Sequence, residues 1–171
     1  KNFYITTPIY YPSAKPHMGH AYSSIVVDFF ARFKRIEGYK VFFLTGTDEH
    51  GLKIQRAAEK NKKTPLEFCD EISKTFKELS KTLNLSNDDF IRTTEKRHYS
   101  SVQNLWNILE KKGEIYLSKY SGWYSVSDEA FYLDDEIKLK DGLNIAKISG
   151  SPVEWLEEES YFFKLSNWQN K

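Results

Sequence analysis

The chain has 171 residues, 40% hydrophobic and 29% charged, with a formal net charge of +1 at pH 7, which bounds it to one domain or one and a fraction. A near-neutral total carries no broad basic field, so no DNA partner is expected, although a local basic patch can hide inside such a sum. The single cysteine, Cys69, excludes an internal disulfide and a thiolate-rich zinc site; without a signal peptide or a membrane-length apolar run, the chain reads as cytoplasmic, with no membrane partner.

The β-branched and aromatic run from Phe3 to Pro12 predicts a strand, broken by Pro12 and Pro16 into a loop. From Gly19 the period changes. Ile25, Val26, Phe29, Phe30 and Phe33 recur at helical spacing, and Gly38 follows as a stop. Lys40 to Gly46 is a continuous apolar run, as in a strand buried on both faces. Strand, helix and strand within this length make a βαβ unit. Thr64-Pro65 then forms an N-cap and first-turn pair, and Cys69, Ile72, Phe76, Leu79 and Leu83 mark one helical face. Asp89 to Thr93 reads as a third short parallel strand. A further helix should begin near Thr94-Glu95, bury Val102, Leu105, Trp106 and Leu109, and stop at Gly113. Beyond Gly113 the residues alternate, with turn signals at Ser121-Gly122 and Ser127-Asp128, and antiparallel hairpins are expected. The last stretch, from Ser149, reads as an amphipathic segment without a closing element.

Two of the four histidines stand in "PHMGH", His17 and His20 around Gly19, at the junction of the first strand and its helix. In an open parallel sheet this junction lies at the carboxyl end of the strand, where ligands bind. The helix N-terminus favours an anion, two imidazoles three residues apart can both reach one, and Gly19 lets a flat base lie against the backbone. The plainer reading is that both histidines cap or pack. "TGTDEHG" sets Asp48 at the carboxyl end of the next strand, where a carboxylate can accept charge-assisted hydrogen bonds from an ammonium group or merely cap the following helix.

"PHMGH" resembles the "HIGH" signature of class I aminoacyl-tRNA synthetases, an α/β fold whose catalytic domain is a Rossmann-like parallel sheet. "PIYYP", "TGTDEHG", "NDDFIRTTEKRHY", "KYSGWYSVSDEAFY" and "SPVEWLEEESYFF" narrow the resemblance to the bacterial methionyl-tRNA synthetases, over essentially the whole chain. The resemblance implies residues 1–113 as the first half of that catalytic domain and residues 114–171 as an incomplete β-rich connective insert that helps to place the tRNA acceptor end. It implies ATP with Mg2+, L-methionine and tRNA(Met) as substrates and partners: the methionine carboxylate attacks the α-phosphorus of ATP, and the acyl group then passes to the terminal adenosine. In that scheme His17 and His20 are catalytic and bind ATP together with Gly19, Asp48 takes the α-amino group, and Ile9 and Tyr11 contact methionine. Tyr11 as plain core is the alternative. His50 stays open between contact with substrate or ATP and bracing of the loop. Many relatives carry zinc on cysteine knuckles; "GWYSVSDEAF" has none, so a zinc-free knuckle held by Trp123, Tyr124, Phe131 and Tyr132 is expected. Glu157, Glu158 and Glu159 should face solvent.

The family's second signature, a "KMSKS" loop, and its anticodon-binding domain do not occur in the sequence. A fragment of a longer enzyme, inactive alone, is therefore expected. A small H-x-G-H nucleotidyltransferase, a class I synthetase for another amino acid, and a non-enzymatic binding module derived from a synthetase are the competing readings.

Overall fold

The structure, a computed structural model, describes residues 1–169 and divides after Ser100 into two compact units. In the first unit β1 (Asn2–Thr6), β2 (Lys40–Thr47) and β3 (Asp89–Arg92) form a parallel sheet of order β1-β2-β3. Helix α1 (Met18–Ile36) connects β1 to β2; α2 (Leu52–Lys60) and α3 (Pro65–Thr82) connect β2 to β3. The βαβ unit and the third parallel strand are therefore as expected. The first strand is shorter than its sequence suggests: it ends at Thr6, and only an isolated bridge between Tyr10 and Thr47 continues the pairing. Pro8 and Pro12 lack the N–H that a ladder needs, which explains the break.

Helix α3 carries the Thr64 cap as expected, with the Thr64 hydroxyl accepting from the Glu67 N–H. Phe68, Cys69, Ser73 and Phe76 are buried along it. Burial pushes the Cys69 thiol up to about 11, which leaves it an uncharged packing group. Helix α1 does the opposite of its pattern. Its buried stripe is Ala21, Ser24, Asp28 and Ala31, while Ile25, Val26, Phe29, Phe30 and Phe33 are exposed. The small side chains let the helix approach closely. Asp28 accepts from the Ser86 N–H and hydroxyl, both at 2.6 Å, and from Arg32 Nε at 2.6 Å, so it ties the loop before β3 to the helix. Burial alone would raise the Asp28 carboxyl, but these donors outweigh it and its pKa lies below the usual value.

Helix α4 (Lys96–Lys111) begins next to the expected Thr94-Glu95 start and carries the chain into the second unit. Val102, Leu105 and Trp106 are exposed and Leu109 is only partly covered, against the expectation that they pack. In that unit β4 (Ile115–Ser125) is central in a sheet of order β5-β4-β8, with β5 (Ala130–Tyr132) and β8 (Glu154–Phe163) both antiparallel to it. A separate hairpin joins β6 (Ile137–Lys140) to β7 (Leu143–Ala146) through Asp141-Gly142. The turn at Ser127-Asp128 lies where expected, but Ser121-Gly122 is interior to β4 and paired with Glu157 and Leu156. The final stretch also closes the unit, because β8 is its longest partner strand rather than a loose amphipathic segment. Glu157, Glu158 and Glu159 are exposed on it, as expected. Among the described residues no helix is long and apolar enough to cross a membrane.

Candidate active site

The β1–α1 and β2–α2 loops meet at one end of the parallel sheet and are joined by backbone bonds. The Tyr10 N–H donates to the Gly46 carbonyl at 2.9 Å, and the Asp48 N–H to the Tyr10 carbonyl at 2.8 Å. His17 is the N-cap of α1: its Nδ1 accepts from the Gly19 N–H at 3.1 Å, while His20 Nδ1 accepts from the His17 N–H at 3.1 Å. Each ring thus accepts a backbone proton on Nδ1, so in each neutral imidazole the hydrogen resides on Nε2. The two histidines do cap the helix, as the plainer reading has it, and each keeps an Nε2–H donor while doing so. Their rings lie 3.9 Å apart. A Cβ on Gly19 would come within 2.9 Å of His17 Cε1, so a side chain there would push the capping ring aside.

Tyr10, which the sequence reading passed over between Ile9 and Tyr11, is the packed floor of this corner. It is 4% exposed, stacks on Phe76 at 5.2 Å and meets the His20 ring edge-on at 5.3 Å. Its hydroxyl lies 2.5 Å from Ser24 Oγ, whose own proton goes to the His20 carbonyl at 2.7 Å; Tyr10 is therefore the donor. Burial, and secondarily the charge of His17, hold the His20 pKa below its usual value. His20 is accordingly an uncharged donor at neutral pH.

Ile9 and Tyr11 flank Tyr10 outside any regular strand. Ile9 is 50% exposed, and the Tyr11 hydroxyl donates to the His50 carbonyl at 2.6 Å. Gly51, at φ +99°, admits that contact, because a Cβ there would lie 2.6 Å from the Tyr11 hydroxyl. Gly51 is also the N-cap of α2, so Asp48 does not cap that helix. Asp48 instead lies with Oδ1 at 3.4 Å from Thr93 Oγ1, and His50 Nε2 lies 3.3 Å from the Thr93 carbonyl.

Between them Glu49 turns inward and is 3% exposed. Its carboxylate accepts from Arg92 Nε (2.7 Å) and Nη2 (2.9 Å), Thr47 Oγ1 (2.7 Å), Ser73 Oγ (2.5 Å) and Thr94 Oγ1 (2.5 Å). Burial on its own pushes this carboxyl up; Arg92 and the three hydroxyls outweigh it and hold the pKa at about 2. Arg92 also bridges to Asp70 at 2.7 Å. Neither Glu49 nor Thr93 was legible as part of the site, since apart from Thr47 the side-chain partners of Glu49 are 24 to 45 residues away in sequence, and the loop that Thr93 meets is as distant. Among the described residues, no group of three or more His, Cys, Asp or Glu is placed to hold a metal ion.

A family model for tRNA synthetases class I (M) matches residues 3–142. The methionine–tRNA ligase of Mesorhizobium japonicum is 53% identical over the whole chain, and the mitochondrial methionine–tRNA ligase of Takifugu rubripes 47%. The chain spans about a third of the length of these curated relatives (33% and 30%). The structure of Mycobacterium tuberculosis methionyl-tRNA synthetase in complex with methionyl-adenylate matches 99% of the chain with a TM-score of 0.94 at 46% identity, and the chain covers 33% of it.

Proposed function

The chain belongs to the class I (M) family of tRNA synthetases, and on that premise we propose that it carries the HIGH-motif half of a methionine–tRNA ligase, the part that grips ATP and the methionine ammonium. One observation carries this reading above the others. The Tyr10 carbonyl holds the Asp48 N–H, so the histidine pair on α1 and the carboxylate after β2 belong to one rigid corner. An anion donor pair on one loop and a cation acceptor on the loop bonded to it suit a substrate pair of triphosphate and amino acid.

In this reading the His17 and His20 Nε2–H groups donate to the triphosphate as negative charge builds on the bridging oxygen, aided by the N-terminus of α1. Gly19 leaves the backbone open beside them. Asp48 accepts from the α-ammonium and holds the methionine carboxylate for in-line attack on the α-phosphorus. The attack forms methionyl-adenylate as the bond to the bridging oxygen breaks and pyrophosphate leaves, so catalysis is positioning and charge stabilisation rather than covalent work by a side chain. Mg2+, where the reaction uses it, would be brought by the nucleotide and would neutralise charge on the triphosphate. Ile9 and Tyr11 form one wall of the thioether pocket, where shape separates side chains one methylene apart by about 1–3 kcal/mol. His50, tethered by its carbonyl to Tyr11 and facing the Thr93 carbonyl, braces the loop.

The second unit fits the role of connective insert, receiving the acceptor end of tRNA(Met). Its knuckle is built on hydrogen bonds and aromatic rings. Asp128 accepts from Ser149 Oγ (2.5 Å), Ser151 Oγ (2.7 Å) and the Tyr132 hydroxyl (2.8 Å), which hold its pKa at about 2. Trp123 pairs with Tyr132 across the strands and packs edge-on against Trp155; Tyr124 pairs with Phe131. Asp128→Ala is expected to lower the melting temperature of this unit, read by tryptophan fluorescence, while metal analysis of the unmodified protein finds no stoichiometric zinc. The carboxylate's contribution is present at neutral pH and lost as pH falls toward about 2, because its folded pKa is depressed.

The deciding experiment is amino-acid-dependent ATP–pyrophosphate exchange by the full-length protein that contains this chain. Methionine alone should support exchange, beside leucine, isoleucine, valine and cysteine. Exchange with another of these, or with none from a folded protein, overturns the reading.

A further inference from the structure

Resting on the ligase reading, we propose that Thr93 is a positioning residue for amino-group recognition: its hydroxyl aims the Asp48 carboxylate at the substrate ammonium. Thr93 follows β3 and is 7% exposed, with its N–H on the Thr47 carbonyl at 3.1 Å. Three successive residues of the β2–α2 loop converge on it. The Glu49 N–H donates to Thr93 Oγ1 at 2.8 Å, Asp48 Oδ1 lies 3.4 Å from the same oxygen, and His50 Nε2 lies 3.3 Å from the Thr93 carbonyl.

The proton count decides the direction. A threonine hydroxyl has one hydrogen, and an amide N–H can only donate, so Oγ1 accepts from Glu49 and its own hydrogen is left for Asp48. That fixes one carboxylate oxygen and leaves Oδ2 for a ligand. The bond is long, so it orients the group without consuming its capacity to bind a cation.

What keeps Thr93 in place is the pair on either side of it. Arg92 and Thr94 both donate to the buried Glu49 carboxylate, so Arg92-Thr93-Thr94 grips Thr47 to His50 by alternate residues. Glu49 is drawn inward, while its neighbour Asp48 stays partly exposed with Oδ1 on the Thr93 side. The grip is a strand-end interaction between β2 and β3, whose register pairs Thr47 with Arg92.

The test compares Thr93→Val, which keeps the shape and removes both the hydrogen offered to Asp48 and the acceptor of the Glu49 N–H, with Thr93→Ser, which keeps the hydroxyl, in the full-length protein. Thr93→Val should raise the KM for methionine by about 5- to 10-fold, the loss expected for an ordinary hydrogen bond rather than a short charge-assisted one. The KM for ATP should stay within about twofold, and Thr93→Ser should restore methionine affinity to within about threefold. A methionine analogue lacking the amino group, assayed as a competitive inhibitor, should bind both variants and the parent alike. Equal changes in both KM values, no rescue by serine, or the same loss with the deaminated analogue would make Thr93 a packing residue and overturn the proposal. Absence of methionine-dependent exchange in the parent protein would instead remove the ligase reading, and this proposal with it.

Discussion

Glu49→Ala is expected to destabilise the first unit by about 3–5 kcal/mol, the cost of leaving a partner charge uncompensated. The Arg92 side chain is 17% exposed, and without Glu49 it retains only Asp70, whose own side chain is 48% exposed. Three hydroxyls, of Thr47, Ser73 and Thr94, lose their acceptor at the same time. The loss should appear as a lower denaturant midpoint with unchanged slope, followed by far-ultraviolet circular dichroism. Acid provides a second reading. Because the folded pKa is depressed to about 2 from 4.5, the stabilisation is complete above the ordinary carboxylate range and drains away as pH falls toward about 2. The variant should lack that acid-dependent component. A midpoint shift under about 1 kcal/mol would mean that Arg92 finds full compensation in Asp70 and that the hub is dispensable.

The second large effect concerns rate. On the proposed ligase reading, His20→Ala in the full-length protein that contains this chain should lower the maximal rate of methionine activation by about 10²–10³, as for the loss of one preorganised donor to a developing negative charge. Because both histidines also cap α1, rate and stability must be separated. His17→Asn supplies the separation, since asparagine is a good N-cap but offers no Nε2–H at that reach. It should leave the melting temperature nearly unchanged and still reduce the rate by a similar factor, with ATP and methionine saturating. Rates that fall only in step with stability would reduce the pair to a cap.

Much of the site was visible in the linear order. The histidines around Gly19, and Asp48 at the end of β2, are brought to one corner because β1 and β2 are parallel neighbours, and the carboxyl ends of parallel strands face the same way. Local chemistry was equally legible: the Thr64 cap, the Cys69 and Phe76 face of α3, and the Ser127-Asp128 turn depend on residues near one another. Where it misled, the periodicity was correct and its destination was not. Phe29 and Phe33 do form a stripe, stacked on each other, but the face of α1 that meets the sheet is the one with small side chains and Asp28.

The sequence by itself therefore determined the strand–helix–strand order of the first unit, its third parallel strand and the cap and buried face of α3, since caps, breakers and period are local. Only the tertiary structure decided that Tyr10 is the floor of the corner, that Glu49 is an anchor beside Asp48, and that Thr93 serves three residues of a distant loop. A carboxylate adjoining another carboxylate looks alike on paper; which one is drawn into the interior is set by the donors waiting there. Arg92, Ser73 and Thr94 claim Glu49. Asp48 stays partly exposed beside it.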